Sequence, residues 1–198
     1  RDAGIHLLAF NPVNPLKTLG PWELNQRDHR KLLVVDGRTA FAGGVNISSS
    51  YANSSLFRTR NKHTSKVGWR DTHVQIEGPA VAALQWEFLN HWENQQAMPL
   101  SDSDFFPVQQ RAGHTLLRVL ASEPEGDQEI YRAYLLAIRS AKTSVHITMA
   151  YFAPDAQILR ALQEAAQRGV DVTLILPAVR ESSLVFYAGH AQYRDLLQ

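Results

Sequence analysis

A histidine and a lysine two residues apart are the side chains of this sequence best suited to chemistry. They stand in the stretch His29-Arg30-Lys31-Leu32-Leu33-Val34-Val35-Asp36, which is followed by Gly43-Gly44-Val45-Asn46. Because side chains alternate along an extended chain, His29 and Lys31 should project on the same side. An imidazole can attack phosphorus or move a proton, while an ammonium holds anionic oxygens as a point charge. The pair therefore predicts phosphate ester chemistry.

The residues after this pair predict the element that positions it. The apolar run 32–35 is typical of a strand, and Asp36-Gly37 is a hairpin-turn signal. Gly43 and Gly44 are expected to let the backbone come close to a ligand, and Asn46 can donate an amide hydrogen bond to the same phosphate. Asp36 begins the turn, so we expect it to give structural support away from the catalytic face.

The pattern HxKxxxxD followed by GGxN resembles the phospholipase D superfamily, with every required position filled. Two further segments resemble the bacterial cardiolipin synthases of that superfamily. One is Trp69-Arg70-Asp71-Thr72-His73 with Glu77-Gly78-Pro79-Ala80-Val81. The other is Ala150-Tyr151-Phe152-Ala153-Pro154-Asp155 with Arg168-Gly169-Val170-Asp171-Val172.

The resemblance implies a mechanism in which two such motifs face one phosphate. One His forms a phosphohistidine, and the other protonates the leaving alcohol and then deprotonates the incoming one. It makes His29, Lys31, Asp36 and Asp71 candidate catalytic residues, with phosphate bound by Lys31, Asn46 and Gly44. Which role His29 takes stays open. Asp71 matches the acidic residue that orients the other lobe's His, although a turn Asp is the alternative. No metal and no cofactor are implied.

The resemblance also implies an α/β phospholipase D-type fold, a mixed β-sheet flanked by helices and built from parts of two similar lobes. Residues 1–97 would belong to the first lobe, 98–113 to a linker and 114–198 to the second lobe. The second HxKxxxxD is absent from the sequence and would come from the missing part of the same chain. Because the sequence would contain only a part of each lobe, residues 1–198 alone are expected to be inactive and poorly soluble.

Hydrophobic periodicity and turn signals predict the individual elements. A helix starting at Pro79 should bury Val81, Leu84, Phe88 and Trp92 on one face. Asp155 is a predicted N-cap and Gly169 a predicted helix stop. Strands are predicted over 5–10, 32–35, 69–77, 144–149 and 170–176, and further helices over 128–142, 156–168 and 182–197.

The composition and charge distribution of the chain limit the kinds of site and binding partner that it can have. The chain contains no cysteine, which excludes disulfides, thiol nucleophiles and cysteine metal sites. Its apolar runs are too short to cross a bilayer. Net charge is +1, but residues 1–70 carry a formal +7 and residues 71–198 a formal −6. The basic half suits phospholipid headgroups or, as the rival, nucleic acid.

The function that this resemblance implies is a phosphatidyl transferase that makes cardiolipin from two phosphatidylglycerol molecules. The expected partners are anionic phospholipid and a membrane surface, without nucleic acid. The expected location is the bacterial inner membrane, peripherally or through segments outside this chain. A phospholipase D-type hydrolase and a nuclease or other phosphodiesterase of the same superfamily are the alternatives.

Overall fold

The computed structural model describes residues 3–8, 28–47, 71–95, 99–100, 104–123, 126–176 and 183–196. The chain is α/β and divides into two compact units, Arg1–Val119 and Leu120–Gln198. The first unit contains strands β1 (Leu32–Val35), β2 (Thr39–Gly43) and β3 (His73–Glu77) and helix α1 (Ala80–Asn94). The second contains α2 (Glu129–Ser140), β4 (Ser144–Thr148), α3 (Ala156–Gln167), β5 (Asp171–Ile175) and α4 (Ser183–Leu196). Within the described ranges, no helix is long and apolar enough to span a bilayer.

The first sheet is an antiparallel meander in the order β1-β2-β3. The β1–β2 hairpin closes at Asp36 and Gly37, which have φ angles of 52° and 61°. Positive φ at both central positions is what a type I′ turn requires, and Asp and Gly tolerate it. The Arg38 N–H donates to the Val35 carbonyl oxygen at 3.0 Å. The predicted strand and hairpin are therefore confirmed.

Helix α1 covers one face of this sheet. Val81 and Leu84 of the helix and Ala40 of β2 are buried together. The partly buried side chains around them are Leu32, Val34, Ile76 and Val119. The other two residues predicted to line the buried face, Phe88 and Trp92, are not buried. Phe88 is 43% exposed and stacks on Trp92, with ring centroids 6.2 Å apart. The helix has 15 residues, about 22 Å, whereas the longest strand has 5, about 17 Å, so the sheet is shorter than the helix that covers it.

Two sequence predictions in the first unit are modified. The described part of the predicted strand 5–10, Ile5 to Leu8, forms no strand, and Leu7 is 92% exposed. A strand needs a partner ladder, and no described residue pairs with this segment. Within the predicted linker 98–113, the Gln109 amide donates to the Gly37 carbonyl oxygen and, at 3.1 Å, to that of Pro107. The division between the compact units falls later, after Val119. The predicted lobe boundaries stay predictions.

The second unit is built on a parallel pair, with β4 and β5 aligned so that Val145 lies beside Val172. The inward side chains of both strands are apolar and pack on a core to which α2, α3 and the segment before α3 contribute. The buried members of this core are Ile138, Phe152, Ala161, Leu162, Ala165 and Val170. The outward face carries polar residues, including His146 and Asp171. The predicted strand–helix–strand order is confirmed.

Hydrogen bonds close both ends of α3. Asp155 is its N-cap and accepts from the backbone N–H groups of Gln157 and Ile158 at 3.1 and 2.9 Å, as predicted. The Tyr131 hydroxyl of α2 donates to the other carboxylate oxygen at 2.6 Å. At the C-terminal end, the Arg168 guanidinium donates to the carbonyl oxygens of Ile138 and Arg139, which end α2. The two helices are thus tied together at both ends of α3.

The Asp155 contacts make the stability of the second unit depend on pH. The Ile158 N–H and then the Tyr131 hydroxyl lower the pKa of Asp155, while the bond to Asp155 raises the pKa of Tyr131. A lowered carboxyl pKa stabilises the fold above the ordinary Asp pKa, and this contribution is lost as pH falls through the folded-state value. A raised Tyr pKa stabilises below the ordinary Tyr pKa, and the contribution is lost as pH rises through the folded-state value.

We therefore expect Asp155→Ala to lower the melting temperature near neutral pH by on the order of 4 °C, because the cap and the Tyr131 bond both disappear. Tyr131→Phe should cause a smaller drop and move the acid limb of the stability profile to higher pH. Thermal unfolding followed by circular dichroism from acid to alkaline pH measures both. Tyr134→Phe, the same change at an exposed position of α2, is the control; an equal effect there would contradict the assignment.

Candidate functional site

His29 and Lys31 lie side by side immediately before β1. The Lys31 Nζ is 3.0 Å from His29 Nδ1 and also donates to the His29 carbonyl oxygen. His29 is exposed, Lys31 is half-buried, and Leu32 then enters the core. The strand starts one residue after the pair, yet the two side chains do project on the same side, as predicted. Solvent-accessible imidazole and ammonium groups in contact can receive an anionic ester between them.

The contact with Lys31 also fixes which ring nitrogen of His29 carries the proton. An ammonium can only donate, so Nδ1 accepts, and a neutral imidazole with this contact holds its proton on Nε2. If Lys31 turned to an incoming phosphate, Nδ1 would be released and the proton could change sides. The pair therefore couples anion binding to the state of the imidazole.

The two glycines at the end of β2 bring β3 close rather than leave open space. A Cβ on Gly43, whose φ is 152°, would lie 2.4 Å from the Thr72 carbonyl oxygen, and one on Gly44 would lie 2.6 Å from Asp71 Oδ1. The Gly44 N–H donates to Thr72 O at 3.0 Å. The sequence predicted that the backbone approaches a ligand here. The structure instead explains both glycines by the close approach of residues 71–73. Asp71 consequently lies against the turn at Gly43 and Gly44, which we call the Gly-Gly corner.

Asn46 and Asp36 lie at different places relative to the pair. Asn46 is exposed and follows Gly44 by two residues, on the segment that leaves the Gly-Gly corner. Asp36 is in the hairpin turn, five residues beyond Lys31, which is about 16 Å along a strand. A carboxylate at that distance cannot touch a phosphate held by His29. Its position agrees with a role in forming the turn.

Helix α1 contributes two residues near this site that the sequence did not reveal. His91 Nε2 lies 3.0 Å from Asp28 Oδ2, and Glu87 Oε2 lies 3.8 Å from an Arg30 guanidinium nitrogen. Both contacts join residues that flank His29 to the helix. No local sequence pattern connects positions about sixty residues apart, so the sequence alone does not indicate either contact.

The second unit brings together no comparable pair of His and Lys among its described residues. Its outward strand face holds His146, whose Nε2 is 3.7 Å from Asp171 Oδ2, with both side chains about two-thirds exposed. Exposed ion pairs of this kind contribute little. In the part of the chain that the structure describes, no three His, Asp or Glu side chains form a metal-binding group.

Comparisons with known proteins connect both units to one family. The family described as "Cardiolipin synthase, PLD-like domain" matches residues 134–198, which include most of α2 and all of β4 to α4. The whole chain aligns with the cardiolipin synthase of Geobacillus kaustophilus (strain HTA426) at 36% identity over 201 residues. It aligns with that of Alkalihalophilus pseudofirmus at 33% over 202 residues. Cardiolipin synthase A of Pseudomonas putida (strain W619) is 39% identical over 191 residues, 95% of this chain.

The chain spans 38%, 38% and 37% of the lengths of these three relatives, in the order given. The similarity includes the half that holds His29 and Lys31 as well as the half that the family description matches. The chain is therefore similar to bacterial cardiolipin synthases along its whole length.

Proposed function

We propose that the protein containing this chain is a phosphatidyl transferase that joins two phosphatidylglycerol molecules into cardiolipin and releases glycerol. The observation that carries the proposal is the His29–Lys31 contact at 3.0 Å, within a motif whose surrounding chain is similar to cardiolipin synthases throughout. Imidazole for covalent catalysis and an ammonium for the phosphate oxygens are the two groups that such a transfer needs.

The proposed reaction proceeds through a phosphohistidine. One imidazole attacks phosphorus and forms an N–P bond, while the P–O bond to glycerol breaks and the departing oxygen takes a proton from a second imidazole. That second imidazole then removes a proton from the primary hydroxyl of another phosphatidylglycerol, whose oxygen attacks phosphorus as the N–P bond breaks. His29 takes one of these two roles, and a second HxKxxxxD from the rest of the same chain supplies the other.

In this scheme Lys31 and Asn46 bind the equatorial phosphate oxygens from one side. Gly44, whose N–H donates to Thr72 O, shapes the corner that precedes Asn46. Lys31 leaves His29 Nδ1 for the phosphate, which frees that nitrogen to carry a proton while Nε2 faces the phosphate, either to attack phosphorus or to exchange a proton with the alcohol. Asp71 orients the imidazole of the opposing motif. The Asp36 carboxylate supports the hairpin that gives β1 its alignment.

The proposed partners are anionic phospholipid and the membrane surface where it lies. The formal +7 of residues 1–70 favours such a surface, because each Lys or Arg near an anionic leaflet contributes about 1 kcal/mol. The bacterial inner membrane is the proposed location, with attachment at its surface or through segments outside this chain. Nucleic acid is not a proposed partner.

The test is a product assay on the protein at its natural full length, given phosphatidylglycerol vesicles and analysed by lipid mass spectrometry. We expect cardiolipin from the parental protein, none above background from His29→Ala, and normal amounts from the control His114→Ala at an exposed loop position. Phosphatidic acid without cardiolipin would indicate a hydrolase, and DNA cleavage without lipid turnover a nuclease. Either result would overturn the proposal.

Lys31→Met should leave folding intact and lower kcat by on the order of 100-fold, because one preorganised charge on the transition-state oxygens is lost. Lys142→Met, at an exposed position of the second unit, is the matched control and should keep parental kcat. Steady-state kinetics of cardiolipin formation with both variants measures the difference. Equal kcat values for the two variants would show that Lys31 does not serve the reaction.

Gly44→Ala should lower activity through Asp71, because the new Cβ would lie 2.6 Å from Asp71 Oδ1 and the carboxylate must move. We expect a loss of roughly tenfold to 100-fold, as for other small displacements of groups near reacting atoms. The loss should not add to that of Asp71→Ala when both changes are combined. Gly126→Ala, at a glycine without a positive φ and with the nearest atom 3.2 Å from the new Cβ, controls for the added methyl. Independent, additive losses would contradict this coupling.

A further inference from the structure

We infer that His91 and Glu87 of helix α1 are positioning residues for His29, acting through the two residues that flank it. The inference rests on the proposed function, because it concerns how His29 of that same site is held in place. Neither residue belongs to the HxKxxxxD pattern or to the Gly-Gly corner. What the structure provides is a pair of side-chain contacts from one helix to the two ends of the tripeptide Asp28-His29-Arg30.

The first contact holds the residue before His29. One Asp28 carboxylate oxygen lies 3.0 Å from His91 Nε2, and the other accepts from the Arg30 backbone N–H at 2.8 Å. A side-chain oxygen bonded to the N–H two residues later forms an Asx-turn, which restrains the backbone of the residue between. That residue is His29. The Asp28 carboxylate therefore joins the helix to the backbone of the tripeptide.

The second contact holds the residue after His29. An Arg30 guanidinium nitrogen lies 3.8 Å from Glu87 Oε2, and the Arg30 Nε lies 4.0 Å from Asp28 Oδ1. Both distances are longer than the 3.0 Å between His91 and Asp28, so we expect this contact to contribute less than the one from His91. It still opposes rotation of the tripeptide about its Asp28 end.

Both anchors come from one rigid surface. Residues four apart on a helix lie one above the other on the same face, which is the relation of Glu87 to His91. The helix itself is fixed to the sheet by the buried Leu84 and Val81, about one and two turns before Glu87. The tripeptide is thus held by a helix that packs on the same core as β1.

The environment of the anchors strengthens them beyond ordinary surface pairs. The side chains of Asp28, Glu87, His91 and Arg30 are 23, 25, 26 and 32% exposed. Partial removal from water raises the interaction between charges and reduces screening by salt. His29 itself stays exposed, so it is not packed in place by its own ring. Besides the Lys31 contact with its ring, His29 is oriented by the restraint of its backbone on both sides.

If His91 and Glu87 position His29, their substitution should change the kinetics in a way that a purely structural role would not. Loss of an anchor should reduce kcat, because the reacting nitrogen must be held to within a fraction of an ångström for attack on phosphorus. Binding of the lipid headgroup through Lys31 and the basic surface should persist, so KM should change little. A stability role would lower the melting temperature and leave the kcat of the folded fraction unchanged.

The experiment uses the full-length protein with His91→Leu, His91→Gln and Glu87→Gln. We expect kcat to fall about tenfold to 100-fold for His91→Leu and about two- to fivefold for Glu87→Gln. His91→Gln retains an amide that can donate to Asp28, and it should recover most of the loss. Deuterium exchange of the Arg30 N–H should become about tenfold faster in His91→Leu. Matched controls are Glu93→Gln, at an exposed position of the same helix, and His114→Leu.

The outcomes separate this inference from the proposed function. Faster Arg30 exchange together with a lower kcat, an unchanged KM and recovery by Gln would support positioning. Unchanged exchange, or faster exchange with parental kcat, would overturn the inference while cardiolipin formation by the parental protein stands. An equal kcat loss in the control variants would also overturn it. If the parental protein forms no cardiolipin, the proposed function fails first and the positioning role falls with it.

Discussion

The packing of helix α1 on the β1–β2–β3 sheet is the interaction on which the first unit depends. Val81 and Leu84 close a small core with Ala40, and every candidate side chain is attached to an element that meets this core. Lys31 immediately precedes β1, Asp71 lies beside the turn out of β2, and the anchors of the His29 segment stand on α1. Loosening this contact would disturb all of them together, because none lies on an independently folded support.

At the Gly-Gly corner, two glycines that the sequence suggested for ligand binding are required by the packing of the protein itself. A pair of glycines after a strand allows the backbone close approach to any neighbour, and the pattern alone does not identify that neighbour. Here the space above Gly44 is taken by the Asp71 carboxylate. The requirement for glycine therefore determines where this acidic side chain can lie, and the Gly44 N–H donates to Thr72 O just before β3.

Local signals in the sequence identified most of the fold, and contacts between distant segments produced the differences. The Asp36-Gly37 turn and the Asp155 cap were predictable because their chemistry is complete within three or four residues. The strand expected after Ile5 was wrong over the described residues, because apolar character does not create a pairing partner. His91 could not be assigned, since its carboxylate partner lies about sixty residues earlier. The HxKxxxxD pair was found from spacing alone.

Because His29 is exposed, its imidazole is not held in one orientation by packing, and neighbouring residues must restrain it. A buried catalytic side chain is aimed by the atoms packed around it, whereas an exposed imidazole can rotate through several rotamers. Lys31 contacts both the ring and the carbonyl of His29, and in the proposed reaction this contact must break when Lys31 turns to the phosphate. The restraint that persists through a reaction must then come from groups that do not touch phosphate. Asp28 and Arg30, held against a helix packed on the sheet core, are placed to provide that restraint while leaving the imidazole open to substrate.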